Sequence, residues 1–117
     1  MQLWLNLPRE QKSIEASYQD LTKNIIPTRE IKISNEQTIP TNSSKVQQTE
    51  GEEITAAKIR VISGTSGDIK GPAKNVIPVK ALDISILKQN FTLEEPIPAN
   101  YNMFMFILEG MVTMILN

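Results

Sequence analysis

The sequence predicts an all-β chain with a flexible polar connector, on three observations. From Ile54 onward, short runs rich in Val and Ile alternate with polar residues. Gly and Pro punctuate these runs at the intervals expected of successive strands and turns. Residues 28–53, "TREIKISNEQTIPTNSSKVQQTEGEE", hold no aromatic side chain and are rich in Thr, Ser, Asn, Gln and Glu. Such a stretch buries too little apolar surface to offset its ordering entropy, so it reads as a connector. The only domain boundary falls there, dividing the chain into residues 1–27, 28–53 and 54–117.

Taken in order, "QLWLNLP" sets Leu3, Leu5 and Leu7 against Gln2, Trp4 and Asn6, the period of a strand, and Pro8 ends it. Trp4 on that strand would be a large exposed aromatic in want of a neighbour. Between Arg9 and Asn24, Ile14, Tyr18 and Leu21 recur at helical spacing and permit a short amphipathic helix. "AAKIRVIS" turns Ile59 and Val61 away from Lys58, Arg60 and Ile62; "VKALDISIL" sets Leu82, Ile84 and Ile86 against Ala81, Asp83 and Ser85. Both read as half-buried strands. "MFMFIL", Met103 to Leu108, is apolar on both faces and reads as a buried strand, which Glu109-Gly110 turns into "MVTMIL" as a hairpin.

Composition closes off much chemistry. The 12 basic and 13 acidic side chains leave a net charge of -1, too even a balance for general capture of phosphate backbones, so direct nucleic-acid binding is not expected. Without cysteine there are no disulfides, thiolate metal sites or cysteine nucleophiles. Without histidine there is neither the commonest metal ligand nor the usual neutral-pH base. The N-terminus lacks a positive n-region, and Asn6 and Pro8 interrupt its apolar stretch, so an intracellular protein is expected. Asn42-Ser43-Ser44 and Asn90-Phe91-Thr92 would accept glycans only in a secreted chain. The apolar run from Met103 to Leu116, broken by Glu109 and Gly110, falls short of the ~20 residues of a membrane span.

Around "EEPIPANYNMFMFILEG" the spacing resembles the first cupin signature, G-x5-H-x-H-x4-E-x6-G, in which two His and one Glu converge on a metal inside a jelly-roll-type barrel. Anchored on Gly110, that frame places Met103 at the glutamate, Pro96 and Pro98 at the histidines, and Asn90 at the first glycine. Proline offers no side-chain donor, and a thioether is a poor ligand for the harder divalent ions. Pro96, Pro98 and Met103 therefore read as shaping and filling a barrel mouth rather than binding metal.

Three other features invite chemistry. Glu94 and Glu95 suggest an acid/base pair, but strand neighbours point to opposite faces, so a solvated edge is the expectation. "SGTSGDIKGP", Ser63 to Pro72, has the glycine density of a phosphate loop; lacking Gly-Lys-[Ser/Thr] and a following helix, it reads as turns. Met103, Met105, Met111 and Met114 suggest an adaptable ligand surface, but interleaved with Phe and Ile they read as core.

Together, several segments resemble the pirin family of intracellular two-barrel cupin proteins. They are "QLWLNLP", "YQDL" (Tyr18 to Leu21), "VISG" (Val61 to Gly64), "IKGP" (Ile69 to Pro72), Leu82-Asp83, "PIP" (Pro96 to Pro98) and "LEG" (Leu108 to Gly110). The resemblance implies an incomplete cupin barrel: residues 1–27 end a first cupin domain, and 54–117 open a metal-free second one. In the family it implies, iron sits in the first barrel on three histidines and a glutamate, through residues this chain does not contain. No catalytic, cofactor or metal residue carries over, and the chain itself is expected not to be an enzyme.

The resemblance also implies nuclear or cytoplasmic transcription coregulators, some with quercetin 2,3-dioxygenase activity. Expected partners are the absent first barrel or a transcription factor, with strand-edge self-association as the alternative. Ala16 stands in place of a usual proline, Leu87-Lys88-Gln89-Asn90 in place of a Pro-Gly turn, and the connector is longer than usual. Ending at Asn117, the chain reads as half a barrel with open edges, hence as a fragment, a truncated gene model or a decayed copy.

Overall fold

The computed structural model describes residues 3–34 and 51–115, and the regular structure among them is β apart from a single 3-10 turn at Arg9–Gln11. Five strands follow in chain order: β1 (Thr28–Ser34), β2 (Glu53–Ser63), β3 (Thr65–Ser66), β4 (Ile69–Lys70) and β5 (Ala81–Ile86). β1, β2 and β5 form an open antiparallel sheet in the order β1-β2-β5, and β3 and β4 form a small hairpin. None of the helices among the described residues is long and apolar enough to cross a membrane.

The alternation read in "AAKIRVIS" builds the core. Ile59 and Val61 are fully buried and Lys58 is exposed. Across the ladders Ile59 lies opposite Arg29 and Ile84, Val61 opposite Leu82, and Ala57 opposite Ile31 and Ile86. Directly opposed residues share a face, so one side of the sheet is apolar apart from Arg29. The other side carries Lys58–Glu30 at 3.1 Å and Arg60–Asp83 at 3.2 Å. At their exposure such pairs are worth ~0–1 kcal/mol each. Their value here is that a one-residue slip would bring Glu30, Arg60 and Asp83 opposite apolar side chains, and Lys58 opposite either Ile31 or another cation, Arg29.

β2 departs from regular pairing twice. Ile31 pairs with Ala57 but Lys32 with Thr55, so Ala56 is an extra residue; Val61 pairs with Leu82 but Ser63 with Ala81, so Ile62 is another. Each extra carbonyl finds a partner outside the ladder. Ala56 O accepts from Leu87 N at 2.8 Å and Lys88 N at 3.1 Å, and Ile62 O accepts from Ala73 N at 3.1 Å. Backbone groups near the core are thereby satisfied while β2 changes direction.

Four expectations need correction. Residues 3–8 form no strand, and Trp4 is 86% exposed: the alternation is present, but no neighbour among the described residues offers a ladder. The helix between Arg9 and Asn24 reduces to the 3-10 turn and bends, because its apolar stripe is too sparse to pack. The connector reading fails over Thr28–Ser34, which is β1; Ile31 and Ile33 alternate with Glu30 and Lys32, a seven-residue pattern diluted by the polar composition around it. Of the rest of that connector, residues 35–50 lie outside the described residues, as does Gln2, while Gly51 and Glu52 are irregular and Glu53 already opens β2. Finally, Met103–Leu108 and Met111–Ile115 form no strand and pair with nothing among the described residues, with Leu108 82% and Met111 93% exposed. They are not core, and the bend at Glu109-Gly110 makes no hairpin.

Candidate functional site: a charge cluster beside the Pro-Ile-Pro element

The glycine-rich segment after β2 positions the site. Gly64 has φ 75° and Gly67 has φ 54°, a region that L side chains rarely enter. Gly67 precedes Asp68, whose φ is not positive, in the two-residue loop between β3 and β4, the pattern of a II′ turn. Missing side chains matter as much as backbone freedom. A Cβ on Gly67 would lie 2.9 Å from Arg29 Nε, and one on Gly64 would lie 3.1 Å from Lys80 Cα. The expected turn role is correct, and these glycines also make room for two cations.

Those cations meet Glu95. Arg29 Nη1 donates to Ser66 Oγ at 3.0 Å and to Glu95 Oε2 at 3.3 Å, and Ser66 Oγ donates to the same Oε2 at 2.8 Å. Lys80 Nζ lies 2.6 Å from Glu95 Oε1 and donates to Pro96 O at 2.5 Å. Oε1 has no well-aligned hydrogen bond among the described residues, so the Lys80 charge is what compensates it. The Glu95 side chain is only 10% exposed, Lys80 14% and Arg29 30%. Expecting Glu95 on a solvated edge was therefore wrong; Glu94 is exposed. Glu95 escaped notice because its partners are 66, 29 and 15 residues away in sequence, a separation no local pattern encodes.

An open concavity of about 610 Å³ adjoins the cluster, bounded by Gly64, Val79, Lys80, Pro96, Pro98 and Tyr101 among others. Pro96 and Pro98 border this concavity, and Met103, 43% exposed, is not among its lining residues. The two prolines and Met103 bring no carboxylate or imidazole. Among the described residues no group of three or more His, Cys, Asp or Glu is placed to hold a metal. The donors present do not fit an iron site: the one carboxylate at the mouth is already engaged by Ser66, Arg29 and Lys80.

A second link joins the early segment to the glycine-rich one. Gln19 Nε2 donates to Pro72 O at 2.9 Å, and Gln19 Oε1 accepts from Lys74 N at 2.9 Å. One amide thus grips the backbone on both sides of Ala73, joining "YQDL" to "IKGP".

Known proteins match over the same stretch. A pirin-like protein of Arabidopsis thaliana is 27% identical over 110 residues, covering 94% of this chain and 28% of the relative. Pirin-1 of the same plant is 27% identical over 94% of this chain and 30% of its own length. The pirin-like protein of Solanum lycopersicum is 29% identical over the same shares, 94% and 30%. The chain is similar to the pirins. The resemblance read in scattered motifs thus runs through nearly all of the chain, and the likeness to pirins implies a cupin-type fold, of which the β1-β2-β5 sheet is an open part. The chain spans less than a third of the length of these curated pirin relatives. No protein-family model matches it, and no solved structure does.

Proposed function

We propose that this chain is a metal-free structural part of a pirin-like protein, without catalytic activity of its own. The observation that carries the reading is the occupancy of the cupin ligand frame. Pro96 and Pro98 stand where the frame has histidines and Met103 where it has glutamate, while nearby Glu95 serves as counter-ion to Arg29 and Lys80. In this reading iron, and any quercetin 2,3-dioxygenase or transcription-coregulator activity, belongs to sequence other than this chain. Its partner is a first cupin barrel, or a transcription factor held through the assembled pair, in the nucleus or cytoplasm. The test is to incubate the purified chain with ferrous iron under argon, desalt it and measure bound iron and quercetin oxidation. Retained iron well below one per chain and oxidation no faster than free iron are expected; stoichiometric iron would overturn the reading.

A second reading is an interaction module that pairs through strand edges, and the 103–115 stretch favours it. Phe104, Phe106, Leu108 and Met111 are each 65% or more exposed there, and β5 has neither a pairing partner on its outer side among the described residues nor full cover on Ile84 and Ile86. Exposed apolar edge strands add further strands readily. Sedimentation of the purified chain separates the two: a concentration-dependent dimer with added strand signal supports the module, and a monomer at all concentrations removes it.

A further inference from the structure

We infer that the concavity beside Lys80 binds a small monocarboxylate with an apolar body. Its walls supply the apolar part: Val79, Ile97, Tyr101 and the rings of Pro96 and Pro98 line it. Charge selects the ligand's head. Lys80 and Glu95 line the concavity, and Arg29, paired with the same carboxylate from outside the lining, leaves the three side chains one positive charge in excess. Of the carboxylates near these residues in sequence, Glu30 and Asp83 are paired with Lys58 and Arg60, and Asp68 and Glu94 are exposed to solvent, which screens them.

Geometry agrees with charge. An ammonium has three N–H donors; Lys80 directs one to Pro96 O, while its charge faces Glu95 Oε1 at 2.6 Å without an aligned hydrogen bond. Donor capacity is thus left over among the described residues, on a side chain that lines the concavity. A carboxylate there would take a charge-assisted hydrogen bond and neutralise the excess, while its apolar body covered Ile97, now 40% exposed. A cation would face the same excess charge as repulsion, and a neutral amide would gain only the weaker hydrogen bond.

The test is an amide NMR titration of the full chain with phenylacetate, phenylacetamide and phenethylamine. Saturable shifts at Gly64, Val79, Ile97 and Tyr101 are expected with phenylacetate, at an affinity about tenfold or more above phenylacetamide, the difference one charge-assisted contact supplies. Phenethylamine should give no saturable shift. Lys80→Gln should remove the preference for the acid over the amide. Because that substitution also strips Glu95 of a counter-ion, Ile97→Asp provides a second variant: it replaces none of Arg29, Ser66, Lys80 and Glu95 and puts a carboxylate in the apolar wall, so phenylacetate binding should vanish while β2 resonances hold. Absent shifts with phenylacetate, equal binding of acid and amine, or full phenylacetate affinity in Ile97→Asp would each overturn the inference.

Discussion

Ser66 Oγ donates a 2.8 Å hydrogen bond to Glu95 Oε2 across 29 residues of chain, and Ser66 is 1% exposed. This contact ties the Pro-Ile-Pro element to the β3–β4 hairpin, with Arg29 bringing in β1. Ser66→Ala should lower stability by about 1 kcal/mol, and Glu95→Ala by about 2 kcal/mol, since the latter leaves two cations partly desolvated. Urea midpoints measure both. The double variant should fall short of the sum, as residues in one network couple by roughly 0.5–3 kcal/mol; strict additivity would mean that the three side chains do not act together.

Gln19 should act locally. Its amide is exposed, so the two hydrogen bonds to Pro72 and Lys74 are worth about 0.5–1.5 kcal/mol each and hold a segment with no ladder of its own. Gln19→Ala is expected to speed hydrogen exchange at Lys74 N and proteolysis between Lys12 and Lys23, with protection of Ile59 and Val61 unchanged. Loss of protection in β2 would show that the early segment is part of the cooperative unit.

Gly71 presents a steric test that needs no unusual dihedral. A Cβ there would sit 2.5 Å from Ile62 C and 2.6 Å from Ile62 O, both backbone atoms that cannot swing aside. Gly71→Ala should therefore destabilise by roughly 2 kcal/mol or more, in the range of overpacked sites. Gly110→Ala, with nothing within 4 Å but φ 81°, should leave the urea midpoint nearly unchanged, because the bend it occupies carries no ladder. A Gly71→Ala midpoint equal to the parent's would refute the close approach.

The Phe104/Phe106 pair offers a solubility test. Both are about two-thirds exposed, at 66% and 65%, so Phe104→Ser with Phe106→Ser removes no core contact. Reduced light scattering with an unchanged urea midpoint is the expected result. A large drop in the midpoint would place these rings in a core in solution.

What could be read from sequence was what local periodicity encodes. β2 and β5 were legible because Ile59 and Val61, and Leu82 and Ile84, repeat at two-residue spacing; the turns at Gly64 and Gly67 were legible because few other residues adopt their backbone. β1 was missed because its two isoleucines sit within a polar stretch that dominates any composition window. "MFMFIL" was misread for the opposite reason: its pattern suits a buried strand, but a strand exists only where another backbone completes its hydrogen bonds. At the site, the occupancy of the cupin frame by Pro96, Pro98 and Met103 was legible from spacing alone. The Arg29–Glu95–Lys80 cluster did not, because charge pairing over 15 to 66 residues depends on the assembled fold.

β2 is the one strand among those described that has a sheet neighbour on each side, and that placement has a kinetic consequence. Neither β1 nor β5 pairs with anything else in the sheet, and each is separated from β2 by a long stretch of sequence, so their docking is slow relative to local turns. The transition state for folding should therefore be organised on β2. Ile59→Val is expected to slow refolding in a chevron experiment, whereas Ile33→Val and Ile86→Val should mainly accelerate unfolding. The reverse pattern would put the nucleus at an edge.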